Sequence, residues 1–182
     1  GLASDKLARY LSTLVHLQVP AIKLVETEAL HKHFSQRYQQ QSVTMLSLGF
    51  FGDQGLRGET IMLYQLENAH RIAALLGYDT DNASELEMLT DISSILTTTL
   101  LNGLAEQIDN SLSYSAPRVL SSRQNNVTEA LVETACHWEL ALKVDISYQL
   151  IDHSFNCDML LLIPGEAVLN IQQILDRIVE EY

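Results

Sequence analysis

The residues best equipped for chemistry lie along one segment, roughly Ser84 to Ile108. At about 100° per helical position, Glu87, Asp91, Ser94, Thr98 and Asn102 share one stripe, while Leu89, Ile92, Leu96, Leu100 and Leu104 take the opposite side. Asp91 and Ser94 are three positions apart, so their side chains stand next to each other and can engage one target together. A carboxylate can dock a cation, and a hydroxyl both donates and accepts hydrogen bonds. Composition alone favours an ordinary solvated face for such a stripe. Two details set this one apart: its side chains are short rather than Lys- and Glu-rich, and Met88, Ile95 and Leu101 flank it closely.

Other constellations carry less. The run Gly52-Asp53-Gln54-Gly55-Leu56-Arg57-Gly58 has the glycine content of a phosphate loop, but no Gly-Lys-Ser/Thr follows and the next element reads as a strand, so a hairpin turn is expected. Asp79-Thr80-Asp81-Asn82 begins like a calcium loop, yet Ser84 occupies the position that needs glycine. His31 and His33 would point in different directions on a helix, and His137 beside Cys136 reads as a strand-edge pair rather than a zinc half-site. A Gly-x-Ser-x-Gly nucleophile elbow is absent. Trp138, Tyr148 and Phe155 are most simply core or sheet-face aromatics. No metal or cofactor is expected on this chain.

The elements that must position the stripe follow from hydrophobic periodicity. Leu7, Leu11, Leu14, Val15 and Leu17 predict a first helix over Ser4 to Val19, capped by Ser4 and stopped by Pro20. Ile22 and Leu24 suit a short extended piece, and Thr27 to Tyr38 a second helix. Val43 to Leu48 and Thr60 to Tyr64 read as strands of a hairpin around the glycine-rich turn. Leu66 to Leu76 reads as an amphipathic helix ended by Gly77. Ser84 and Glu87 have capping-box spacing at the start of the long helix. Beyond it, Leu112 to Leu120 looks extended and broken at Pro117, Ser121 to Asn126 reads as a polar loop, and Val127 to Ala135 fits helix or strand. Leu140 to Ile151 and Phe155 to Ile163 are strand candidates, followed by a helix over Gly165 to Val179. The expected class is therefore α/β, of the α+β type. Because a hairpin followed by a helix occurs twice, the order suggests an imperfect tandem with halves at about 3–77 and 84–180.

Bulk properties bound the reading. A chain of 182 residues fits a single domain and can bury roughly two thirds of its unfolded surface. Apolar residues at 47% and charged residues at 19% make a globular balance. Apolar runs such as Met159 to Ile163 are too short to cross a bilayer, and no signal peptide opens the chain, so no membrane partner is expected. Two cysteines, Cys136 and Cys157, without metal-type spacing point to packing roles in a reducing compartment, hence a cytoplasmic location. The net charge of −12 disfavours nucleic acid, which calls for a basic face. Gly1-Leu2 in place of a methionine leaves room for an upstream segment, and with it the reading of an effector domain severed from a receiver.

At this point the residues carry a resemblance. Leu89-Thr90-Asp91-Ile92-Ser93-Ser94-Ile95-Leu96, continuing through Leu101-Asn102-Gly103-Leu104-Ala105-Glu106 to Ser115-Ala116-Pro117, resembles the central helix of the CheC, CheX and FliY family, phosphatases of phosphorylated chemotaxis response regulators. Phe50-Phe51-Gly52-Asp53-Gln54-Gly55 through Ala69-His70-Arg71-Ile72-Ala73-Ala74-Leu75-Leu76-Gly77 is similar to that family's first half. Together with the closing strands and helix, the similarity spans most of Val43 to Val179. It implies a CheC-like fold of two pseudo-repeated halves, each helix, strand, strand, helix, with a mostly antiparallel sheet packed against long helices.

The resemblance also implies a mechanism and a partner. In the family the helix carries Glu-x-x-Asn: the glutamate pairs with the receiver's lysine, and the asparagine orients the water that attacks the aspartyl phosphate. Those positions fall on Asp91 and Ser94, the first shorter by a methylene and the second a hydroxyl in place of an amide. Glu87, Thr98 and Asn102 would complete the docking face. A second motif on the first helix would fall on Arg9 and Ser12, which have neither the carboxylate nor the amide. The partner implied is a phosphorylated CheY-like receiver, which itself holds the Mg²⁺. Two functions stay open: a phosphatase using Asp91 and Ser94, or a module that docks a receiver or a second copy of itself without hydrolysis.

Overall fold

The structure, a computed structural model, describes residues 18–26, 29, 30, 32, 34, 36, 38, 42–53, 56–65, 85–107, 110–124, 131, 138, 140–150 and 153–163. In chain order these form β1 (Gln18–Glu26), β2 (Val43–Gly52), β3 (Arg57–Gln65), the long helix (Glu85–Gln107), β4 (Leu112–Tyr114), β5 (Arg118–Gln124), β6 (Leu140–Leu150) and β7 (His153–Ile163). The strands make one 7-stranded sheet in the order β1-β6-β7-β3-β2-β4, with β5 also paired to β2. Every pairing is antiparallel. The class is α+β, a mixed helix and antiparallel sheet.

The apolar runs of β2, β3 and β7 make sense once both faces of the sheet are seen to be covered. Side chains alternate across a strand, so one face takes Val43, Met45, Ile61, Leu63, Leu160 and Leu162. These pack with Leu30, Phe34, Tyr38 and Leu131, with Trp138 and Leu120 at the margin. The intervening residues Leu46, Met62, Tyr64 and Met159 are equally buried and project from the other face. There the long helix packs across β2, β4 and β5. Asp158 is buried on the first face, where the Tyr38 hydroxyl donates to its Oδ2.

The β2–β3 turn is secured from outside the hairpin. Gly52 N donates to Leu56 O at 2.7 Å, and Leu56 N to Asp53 O at 3.2 Å. Asn110, just past the helix, receives Asp53 N on its Oδ1 at 3.0 Å and returns Nδ2 to Asp53 O at 3.3 Å. Its own N caps Ala105 O at 2.9 Å, so one residue ties the helix end to the hairpin tip.

Two sequence expectations are corrected here. Ser121 to Gln124, expected in a polar loop, continue β5 and pair with β2, because an edge strand draws its stability from backbone hydrogen bonds that polar side chains do not prevent. Gln18 and Val19, expected at the end of a helix stopped by Pro20, open β1, and Pro20 lies inside that strand, near its start, where a missing N–H is tolerated. The extended reading of Ile22 and Leu24 agrees with β1, and residues 29, 30, 32, 34 and 36 are helical. The helices expected at 66–76 and 165–179, the first helix before residue 18, and the Ser84 cap lie outside the described residues.

Candidate functional site

The long helix buries Met88, Leu89, Ile92, Leu96, Leu101 and Ala105. Two of its threonines bond back within the helix itself, Thr90 donating its hydroxyl to Leu86 O at 2.6 Å and Thr98 to Ser94 O at 2.8 Å. Met88 and Leu101, expected beside the stripe, belong to the buried side; Leu100 is half-buried.

Two tyrosines set the roll of the helix. Tyr64 of β3 and Ser93 are fully buried, and their hydroxyl oxygens lie 2.7 Å apart. Tyr114 of β4 donates its hydroxyl to Asn102 Oδ1. Ser93 and Asn102 are separated by roughly two and a half turns, so the two contacts grip opposite flanks of the helix. Both phenols are held in the protonated form. Burial pushes Tyr64 well up, with the neighbouring Cys157 adding to the effect and the Ser93 hydrogen bond opposing it; burial alone raises Tyr114.

With the roll set this way, the five expected stripe residues share one accessible face. Asp91, Ser94 and Thr98 are half-buried, and Glu87 and Asn102 are exposed. Their engagement differs. Thr98 turns its hydroxyl to the carbonyls of Ser94 and Ile95, and the Asn102 carbonyl oxygen is taken by Tyr114. The Ser94 hydroxyl has no hydrogen bond among the described residues. A carboxylate and a hydroxyl thus sit side by side, sheltered but reachable, an arrangement able to pair with a cation and align a water. Arg9 and Ser12 lie outside the described residues.

Sequence reasoning missed Ser93, Tyr64 and Tyr114 as determinants of the site. A signal was present: Ser93 and Thr97 interrupt the apolar side of the helix one turn apart, and both prove fully buried. Among the described residues no group of three or more His, Cys, Asp or Glu could hold a metal ion, and no helix is long and apolar enough to cross a membrane.

An antiparallel sheet built around two adjoining hairpins, with a long helix laid across it, is the fold this chain shares with FliY, a FliM middle domain and CheX. The chain is similar to FliY of Thermotoga maritima, with a TM-score of 0.59 and 13% identity over 96% of this chain and 90% of that one. It is also similar to the FliM middle domain of Vibrio alginolyticus, with a TM-score of 0.54 and 7% identity over 94% of each chain. The chemotaxis protein CheX of Vibrio vulnificus gives a TM-score of 0.52 and 16% identity over 88% of this chain and 95% of that one. At these identities the likeness is one of fold. No protein-family model and no curated protein matches the chain by sequence.

Proposed function

We propose that this chain is a CheC-type domain that docks the phosphorylated receiver of a chemotaxis response regulator and promotes loss of its aspartyl phosphate. The observation that carries the reading is the placement of Asp91 and Ser94 together on the accessible, half-buried face of the long helix, with the Ser94 hydroxyl unengaged among the described residues. Asp91 pairs with a receiver lysine and sets the register. Ser94 accepts a hydrogen bond from the water whose oxygen attacks phosphorus, while the receiver's aspartate leaves as carboxylate. The Mg²⁺ of the reaction belongs to the receiver. Glu87 extends the acidic end of the face, and Thr98 and Asn102 its polar end.

The same reading takes the chain as two related halves, about 3–77 and 84–180. It is supported by the sheet order: exchanging β1, β2 and β3 for β5, β6 and β7 leaves the sequence β1-β6-β7-β3-β2-β5 unchanged when read from the other end. In that scheme Arg9 and Ser12 are the degenerate counterpart of the helix motif.

One observation favours a second reading, docking without hydrolysis. The stripe's single amide, Asn102, has its carbonyl oxygen engaged by Tyr114, so no amide stands in for the one replaced at Ser94. The decisive measurement is the half-life of a phosphorylated CheY-like receiver with and without this protein. Shortening supports the phosphatase; an unchanged half-life across several receivers that nevertheless bind leaves docking alone, and absence of binding overturns both. Asp91→Glu with Ser94→Asn is expected to raise hydrolysis under either reading.

A further inference from the structure

The edge of the sheet beside the helix carries an exposed apolar side chain that the stripe does not explain. Val119 of β5 is 41% exposed. It pairs with Leu46 of β2, so the two share the face of the sheet on which the long helix lies. Its neighbour Leu120 turns to the opposite core, as alternation requires.

The position of Val119 along the helix can be read from the two tyrosines. Tyr64, which meets Ser93, pairs with Thr44 of β2. Tyr114, which meets Asn102, pairs with Phe50 of β2. Leu46, and with it Val119, falls between these levels, alongside the helical segment from Ser94 to Thr98. The flank is fixed too. Ser93 looks toward β3, Asn102 looks the other way toward β4, and β5 follows β4 on that side of β2. By helical angle Asp91 lies within about 20° of Asn102, on the same flank. Ile95, half-buried, also turns to this side. The neighbouring cation does not intrude, because Arg118 pairs with Glu59 on the other face of the sheet.

We infer that the docking face continues from the helix onto β5, with Val119 as an apolar contact for the same partner. The inference rests on the proposed function and deepens it. The occupant is a receiver domain whose docking surface sets a basic side chain next to an apolar one: the basic group answers Glu87 and Asp91 on a chain of net charge −12, and the apolar group covers Val119 and Ile95. The carboxylate selects charge, and the valine adds a dry contact at the rim of the docked surface.

The test is a binding titration with a CheY-like receiver carrying beryllofluoride as the phosphoryl mimic, using the whole chain and its variants. Val119→Asp is expected to raise Kd at least tenfold, and Val119→Thr, which keeps the shape and suits an edge strand, about threefold. Phe51→Asp, at an exposed position on the opposite face of the sheet, is expected to leave Kd unchanged. If Asp91→Arg abolishes binding while both Val119 variants bind as wild type does, the extension onto β5 is wrong and the helix alone docks. If Phe51→Asp weakens binding as much as Val119→Asp, the effect is not local and the inference also falls. A wild-type protein that fails to bind overturns the proposed function itself.

Discussion

The hydroxyl oxygens of Tyr64 and Ser93 lie 2.7 Å apart beneath the long helix, and this contact decides which of two adjacent serines faces outward. Ser93 is drawn to the sheet and Ser94 is left on the accessible face. Tyr64→Phe leaves the buried Ser93 hydroxyl without this partner and is expected to cost about 1–2 kcal/mol of stability. Ser93→Ala on its own costs a similar amount. The double variant should lose less than the sum, with a coupling of about 1 kcal/mol in urea unfolding; strictly additive losses would show that the contact contributes nothing.

Alkaline pH should weaken the fold through the same region. Burial, and then the charge of Asp158, hold the Cys157 thiol well above its ordinary range, and Tyr64 is likewise raised. Both groups keep their protons longer in the folded state than in the unfolded one. Their contribution is therefore complete below the unfolded-state values, about 8.5 for a thiol and 10 for a phenol, and is lost as pH rises through the raised ones. Urea midpoints should fall from about pH 9 upward, and Cys157→Ala should flatten the onset of that fall. Native Cys157 should also resist alkylation at pH 8, as read by peptide mapping, and react on unfolding.

Gly58 is expected to be intolerant of any side chain. A Cβ there would sit 2.2 Å from Phe50 Cζ and 2.6 Å from the backbone oxygen of Leu162, and Phe50 is itself buried. Gly58→Ala should cost about 1–3 kcal/mol, and a melting curve unchanged from wild type would contradict the packing described.

Receiver binding should depend on salt. Glu87 is exposed and Asp91 half-buried, so their attraction for a basic partner is screened as ionic strength rises. The association rate with a receiver should fall between low salt and 0.5 M, and Glu87→Gln should reduce that slope while changing dissociation little. A rate indifferent to salt would remove the acidic end of the stripe from the docking face.

Much of the architecture was legible in the chain because it rests on local signals. The glycine-rich turn between two β-prone runs predicted the β2–β3 hairpin, and the spacing from Glu87 to Asn102 predicted both the long helix and its polar stripe. The Ser121–Gln124 segment was not legible, since its strand state comes from the β2 backbone beside it rather than from its own side chains.

The sequence alone determined that Asp91 and Ser94 would neighbour each other, because three residues on a helix return to the same face whatever surrounds them. It could not say which way that face would point. Polar Ser93 and Thr97 lie inside and half-buried Ser94 remains reachable because Tyr64 and Tyr114 grip opposite flanks of the helix, and those tyrosines come from strands that only the tertiary pairing of β3 and β4 with β2 brings beneath and beside it.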